Sequence, residues 1–469
     1  MANGWMGLNT ALSGLRTAQQ MLDISAHNIA NASTPGYSRQ RAQIVAAPPF
    51  SLPAFNRTGL PGQLGTGVQI TSINRIRDAF LDGQINEQVA SSGYWSAREG
   101  ALSGVEAAFP EPSGSGLGTV LSRFWSAWED LAADPGSTAA RTAVLAEAGT
   151  LAARFTRDAG QLTTLVADAD NQVQTAVGEV NDLATRIAAL NKQIQGIVVS
   201  GDHANDLEDQ RDQLLEQLNT LVPTQNIRQA DGSVTVLIAG TDLVDHDRTR
   251  AITTADDPAG NAVPTWSSGG AVEVGGGKLK GLVELRDTTL AGYVSGLNTL
   301  ARQIAEAVNT AHTSGVDANG NPGLPLFTFT AGAEASSMTI NPAIGSDPSL
   351  IVASGVAGAP GDSSVAALIA GLRTAATFVS GTQTPVDAYA AFIGQIGTDS
   401  RQATELAGNQ ALVVQQLQSR RESISGVSLD EEAADVMRFQ QAYSASARVI
   451  TAIDEMLDVL INKTGMVGR

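Results

Sequence analysis

Cysteine is absent from this 469-residue chain, which excludes disulfides while leaving the compartment open. Charge is scarce and one-sided. Charged residues make up 16%, and 47 acidic against 29 basic side chains leave a formal net charge of −18. A phosphate backbone needs clustered Lys and Arg, so nucleic acid is not an expected partner. An anionic membrane surface is disfavoured for the same reason. No run of about 18 apolar residues is present, so no segment is expected to cross or insert into a bilayer. Aromatics are sparse at 4%. The opening MANGWMGLNTALSGLRTAQQ has neither a basic leader nor the apolar stretch of a secretory signal. The expectation is a cytoplasmic protein, or one exported by a dedicated machine that removes no leader.

What is present is helix. Ala, Gly, Ser, Thr and Gln make up much of the chain, a bias that suits long helices with close backbone packing. Near the start, Leu8, Leu15, Leu22 and Ile29 recur every seven residues, with Ala11, Ala18 and Ser25 between them. Near the finish, Leu429, Val436, Tyr443, Ile450 and Leu457 do the same, with Phe439, Ile453 and Leu460 in a second row. A period of 3.5 keeps one stripe facing one partner, so both segments read as coiled-coil surfaces. An ordinary buried helix hairpin is the alternative on periodicity alone.

Between these ends the pattern nests. The first helix stops at Ser33-Thr34-Pro35-Gly36, because proline disfavours a helical residue before it. Residues 38–74, with Pro48, Pro53 and Pro61, read as extended chain and short strands. Helix returns from Arg75 to Leu221, broken at Pro110-Glu111-Pro112-Ser113-Gly114-Ser115-Gly116 and at Asp134-Pro135-Gly136. Val166, Val173, Val180, Ile187 and Ile194 form its strongest repeat. Asn205 and Glu208 are placed to cap one helix, and Ser428 and Glu431 another. Alternating Val234, Val236 and Ile238, then Val272 and Val274, predict strands. The expected fold is therefore mainly α with β inserts, an elongated multidomain α+β subunit. Its parts are a terminal coiled-coil domain (1–50 with 425–469) and a helical body (51–222, 285–312 and 363–424). A β-rich insert (223–284) and a small, irregular, surface-exposed insert (313–362) complete it.

Chemistry-bearing patterns fail on inspection. Gly277-Lys278 ends like a phosphate loop, but Val272 and Leu279 stand where glycine and a hydroxyl residue are needed. Asp317-Ala-Asn319-Gly-Asn321 begins like a calcium loop, but Pro322 and Thr328 break it, leaving a turn. His27, His203, His246 and His312 lack ligand spacing, and Asp245-His246-Asp247 reads as a solvated loop. The acidic run Asp430, Glu431, Glu432, Asp435 suits a helix N-terminus. Trp125 and Trp128, at helical spacing with Leu121 and Leu131, read as core. No catalytic residues, cofactor or metal are expected, and the chain does not read as an enzyme.

The residues Asn28, Asn31, Thr34, Pro35, Gly36, Tyr37 and Arg39, in the order Ala-His-Asn-Ile-Ala-Asn-Ala-Ser-Thr-Pro-Gly-Tyr-Ser-Arg, resemble the N-terminal signature of the bacterial flagellar rod, hook and hook-associated proteins. The segment from Leu429 to Ile450, with Gln440-Gln441-Ala442-Tyr443, resembles the terminal helix of the same family. These endings are most similar to its hook-associated, junction-forming branch. Internal segments such as Trp128-Glu-Asp-Leu131 and Gly276-Gly-Lys-Leu279 match in order. The resemblance implies a structural axial subunit of the flagellum, exported unfolded by its type III system. It implies partners in copies of itself arranged as a ring, the hook protein, a second junction protein (hook-associated protein 3) and a cytoplasmic export chaperone. The terminal helices would pair as an inner tube through the two heptad rows. A hook or distal rod subunit is the near alternative. A surface adhesin and a secreted hydrolase are the alternatives of another class.

Overall fold

The computed structural model describes residues 2–49, 65–111, 113–114, 116–376, 378 and 381–463. Pro53 and Pro61 of the outgoing arm, and Pro112 and Ser115 of the first loop, lie outside the described residues. The chain opens with α1 (Ala2–Asn31), then an antiparallel ribbon of β1 (Gln40–Ala46) and β2 (Val68–Arg75). It enters the body through α2 (Ala79–Ala108), whose first turn is capped by Asp78 accepting from Phe80 N and Leu81 N.

Two apolar cores are strung along one helix. After α3 (Leu117–Ala133) comes α4 (Thr138–Val199), capped by Ser137 and 62 residues long, or about 93 Å at 1.5 Å per residue. Its first half joins α3 in the first core, where Phe124, Trp125 and Trp128 are fully buried. Its second half, with Val173, Val180 and Ile187, joins α5 (Asn205–Leu221) in the second core. The β-rich insert packs there too: β3 (Gln225–Arg228), β4 (Val234–Ile238), β5 (Thr241–Asp245) and β6 (Arg248–Thr249) form one sheet, β7 (Ile252–Asp256) and β8 (Ala262–Trp266) another. Then α6 (Gly277–Glu284) turns back against α2, where the missing side chain of Gly281 lets the helix meet the Tyr94 carbonyl. Gly277-Lys278 is thus a helix start.

A π-helical turn leads into α7 (Ala291–Thr313) and back to the first core. Residues 313–362 hold β9 (Phe327–Thr328), α8 (Glu334–Ser337), β10 (Thr339–Ile340) and α9 (Pro342–Gly345). This segment differs from the surface insert expected of its Gly and Pro content. Phe327, Met338, Ile344 and Val352 enter the first core. His312 pins it: Nδ1 donates to the Leu324 carbonyl at 2.6 Å and Nε2 accepts from Val352 N at 3.0 Å. Arg141 adds bonds to the Ile351 and Pro135 carbonyls. The Asp317 carboxylate accepts from Asn319 N and Asn321 N, closing the expected turn. The chain returns through α10 (Ser364–Gly371), α11 (Pro385–Ser425) and α12 (Leu429–Asp458). Antiparallel pairing of α11 with α2 buries Leu81, Ile85 and Val89 against Val414 and Leu417.

Small sheets expose many backbone edges, and a recurrent device fastens them to helices. Asn181 on α4 donates to the Ile252 carbonyl at 2.7 Å and accepts from its N–H at 2.8 Å. Asn191 does the same to Val234, at 2.8 and 3.1 Å, and Asn309 to Phe327, at 2.8 and 2.9 Å. A carboxamide carries a donor and an acceptor side by side, so it satisfies both groups of one strand residue as a neighbouring strand would.

Candidate functional site

The two ends pair, and they pair through small residues. Two close approaches set an antiparallel register: a Cβ on Gly7 would stand 3.3 Å from Ile453 Cδ1, and one on Gly14 would stand 3.1 Å from Ser446 Oγ. The buried residues of α1 are likewise small or polar: Ala11, Thr17, Ala18, Ser25 and Asn28. The row Leu8, Leu15 and Leu22 flanks the seam half-buried, and Ile29 is 39% exposed. The sequence reading put that leucine row at the centre of the pairing; within the chain the small row occupies it. Backbones approach closely only where side chains are small, so the bulky row is displaced to the side.

On α12 only Glu432 and Ile453 are buried. Val436, Phe439, Ile450 and Leu457 are half-buried, while Tyr443 is exposed. Leu429 is 56% and Leu460 61% exposed, and Met437, Val449 and Met456 are open as well. Gln440 and Gln441 are exposed on the same helix.

The helix stop is a hydrogen-bonded knot. Asn31 Nδ2 donates to the His27 carbonyl at 3.0 Å, and Thr34 Oγ1 donates to Asn31 Oδ1 at 3.3 Å. After exposed Pro35, Gly36 takes φ +79°, a left-handed turn that glycine makes without strain. Buried Asn28 then applies the same two-bond clip to Gln40 of β1, both bonds at 3.0 Å. Its Oδ1 also accepts from Tyr37 Oη at 2.7 Å. Burial, together with Asp206, Asp209 and Glu432, raises the Tyr37 pKa and keeps that donor protonated.

From this knot the chain reaches the body by polar contacts. Ser38 N and Oγ donate to Asp209 at 2.8 and 2.7 Å. Arg75 bonds Glu208, Asp209 and Asp212 at 2.6, 2.6 and 3.0 Å. Arg39 grips the first turn of α12, with Nε to Glu432 and Nη1 to Glu431, both at 2.6 Å. Burial opposes its charge, but those carboxylates outweigh burial and raise its pKa. Two capping expectations change accordingly. Asn205 does not cap α5, whose N-cap position is held by Ala204 without a side-chain bond; it donates instead to Gln40 Oε1 and the Ile73 carbonyl. Ser428 accepts from Glu431 N as expected, while the Glu431 carboxylate serves Arg39. Sequence reasoning missed Gly7, Gly14, Ser38, Asp209 and the role of Glu432. The seven-residue spacing of the two glycines was the available signal.

The joint holds the arm, α5 and α12 together through charged hydrogen bonds. A cleft of about 750 Å³ beside the joint is lined by Arg77, Asp82, Asp212, Glu216 and Arg421. The Asp82, Asp212 and Glu216 carboxylates are taken up by Arg77, Arg75 and Arg421 respectively. Among the described residues no group of three or more His, Asp or Glu side chains could hold a metal. No described helix is long and apolar enough to cross a membrane.

Three family models match in chain order. They are a flagella basal body rod protein model at residues 8–37, the helical domain of flagellar hook-associated protein FlgK at 102–327, and the C-terminal model of the flagellar basal body rod FlgEFG proteins at 418–463. Flagellar hook-associated protein 1 of Bacillus subtilis (strain 168) is 31% identical over 507 residues, covering 100% of both chains. Its Escherichia coli (strain K12) namesake is 27% identical, covering 97% of this chain and 99% of its own. The flagellar hook junction protein FlgK from Burkholderia pseudomallei shares the fold, with a TM-score of 0.65 at 16% identity, covering 73% of this chain and 100% of that one.

Proposed function

The chain belongs to the flagellar hook-associated protein 1 family, a structural component of the bacterial flagellum at the hook–filament junction, and on that premise we propose how it assembles. The terminal pair is the assembly element. Leu8, Leu15, Leu22 and Ile29 on α1 meet neighbouring copies together with Leu429, Val436, Phe439, Tyr443, Ile450 and Leu457 on α12 and Leu460 just past its end, while Ile453, buried against Gly7, closes the pair within the chain. The observation that carries this reading is the apolar surface of α12: a 30-residue helix buries two side chains in the single chain and leaves Leu429, Met437, Tyr443, Val449 and Met456 exposed. Exposed apolar surface on this scale belongs against a partner.

Copies arranged as a ring put the paired ends innermost and the two-core body outside. The hook protein lies on one side and hook-associated protein 3 on the other. Export is in the unfolded state through the flagellar type III system, with a chaperone covering the ends beforehand. A chain without cysteine has no covalent crosslink to open before passage. The role is structural, with no catalytic step.

Deletion of the coding gene, followed by electron microscopy of the cell surface, tests this. Hooks without filaments, and flagellin lost to the medium, are the expected result. Loss of the hook itself would assign the chain to the hook or distal rod, and intact filaments would overturn the junction role.

A further inference from the structure

The three apolar clusters of the body contain no residue before Leu81 and none after Leu417. Among the described residues, the terminal helix pair therefore shares no apolar cluster with the body. Polar contacts join them: His27 of α1 and Gln40 of β1 reach Asp206 of α5 at 3.3 and 2.6 Å, and the contacts that also engage α11 and α12 centre on Arg39. Its backbone N–H donates to the Ser425 carbonyl at the end of α11 at 2.8 Å, and its carbonyl accepts from Ile76 N at 2.9 Å. Its guanidinium reaches across to α12, bonding Glu431 and Glu432 and lying 3.6 Å from Asp435. One residue thus ties the arm, the exit of α11 and the entry of α12, in a carboxylate pocket whose Glu432 side chain is 2% exposed. Immediately before it, Ser38 holds Asp209 of α5, the carboxylate that Arg75 also grips.

We propose that Arg39 is a positioning residue, the pivot of an electrostatic latch that sets the angle between the terminal helix pair and the body. Packed cores resist gradual deformation, because interdigitated side chains have few alternative arrangements. A fork of charged hydrogen bonds has specific geometry yet can tilt or exchange partners without repacking a core. Glu432 is the setting contact, since it is the carboxylate buried at the pivot. Its neighbours Glu431, 64% exposed, and Asp435, 28% exposed and shared with Arg438, trim the angle. In this way the body is oriented about the assembled ends without being fused to them.

The inference rests on the assembly reading above, and charge exchange separates the two. Arg39→Glu, Glu432→Arg and the double exchange are expressed in cells lacking the chromosomal copy. Filaments per cell are counted by electron microscopy. Each single reversal leaves a like-charge pair at a buried site and is expected to lower the count by more than about tenfold. The double exchange restores the opposite pair and is expected to recover most of it. Arg39→Lys keeps the charge but loses the fork, giving an intermediate count. Thermal unfolding of the purified chains shows that the body stays folded, as no residue of its apolar clusters is altered. Single reversals that assemble normally would overturn the latch, as would a double exchange no better than the singles while the body melts normally. If the deleted strain itself keeps its filaments, the assembly reading fails instead.

Discussion

In the body, the 17-residue α3 buries Phe124, Trp125 and Trp128 completely; α12, with 30 residues, buries Glu432 and Ile453. The same contrast holds on the partner helices. The first half of α4 buries Leu151, Phe155 and Leu162, whereas α1 buries Ala11, Thr17, Ala18, Ser25 and Asn28. Burial of apolar area at roughly 25 cal/mol per Å² is what offsets conformational entropy. The body therefore contains its own driving force for folding. The terminal pair fits closely but buries little, and isolated helices of this kind are marginal without more partners. Shape complementarity and stability are separate properties, and this chain distributes them to different regions.

Truncating the body core gives the largest expected effect. Trp128→Ala removes a fully buried ring and is expected to cost about 3–5 kcal/mol of body stability, read by thermal or denaturant unfolding. A loss no larger than that of a surface substitution would erase the contrast.

A pH scan sharpens it next. Burial pushes the His312 pKa from 6.5 down to about 4, so between those values the folded body binds fewer protons than the unfolded chain. Its contribution is complete above pH 6.5 and drains away as pH falls toward 4, by on the order of 2–3 kcal/mol. Asp158 opposes it: burial, against the pull of Arg154, pushes its pKa up to about 6, so it weakens the fold as pH rises from about 4 to 6. Melting at pH 4.5 and 7 separates the two. His312→Gln should lose most of the acid-side loss, and Asp158→Asn should deepen it.

Smaller still is the cost of one clip. Asn191→Ala leaves the Val234 N–H and carbonyl without their helix-borne partner and is expected to cost roughly 1–3 kcal/mol. Hydrogen exchange should quicken at β4 before the first core responds. Smallest of all is Leu460→Ala, whose side chain is 61% exposed and belongs to none of the body's apolar clusters: body unfolding should shift by less than about 0.5 kcal/mol. Filament number in complemented cells is where that substitution should show.

Periodicity made the long helices legible. The repeats at 8–29, 166–194 and 429–457 fall within α1, α4 and α12, and Trp125 with Trp128 sits in the core as helical spacing predicts. Composition misled at 313–362, where Gly and Pro suggest a surface insert although scattered Phe327, Ile351 and Val352 are enough to anchor it. The joint was not legible, because its partners are remote: Arg39 and Glu432 lie 393 positions apart, and Ser38 and Asp209 171. Nor does an asparagine within an apolar repeat announce that it will clip a strand. The stop motif marked where α1 ends, but that Asn28 and Tyr37 fasten β1 emerges only from geometry.

Limited proteolysis of the isolated full-length chain tests the central contrast most directly. Cleavage should fall first within residues 1–35 and 430–469, leaving a resistant fragment that holds both body cores and still unfolds cooperatively. Terminal segments that resist cleavage as well as the body does would contradict the account, because the end helices would then be stable without neighbouring copies.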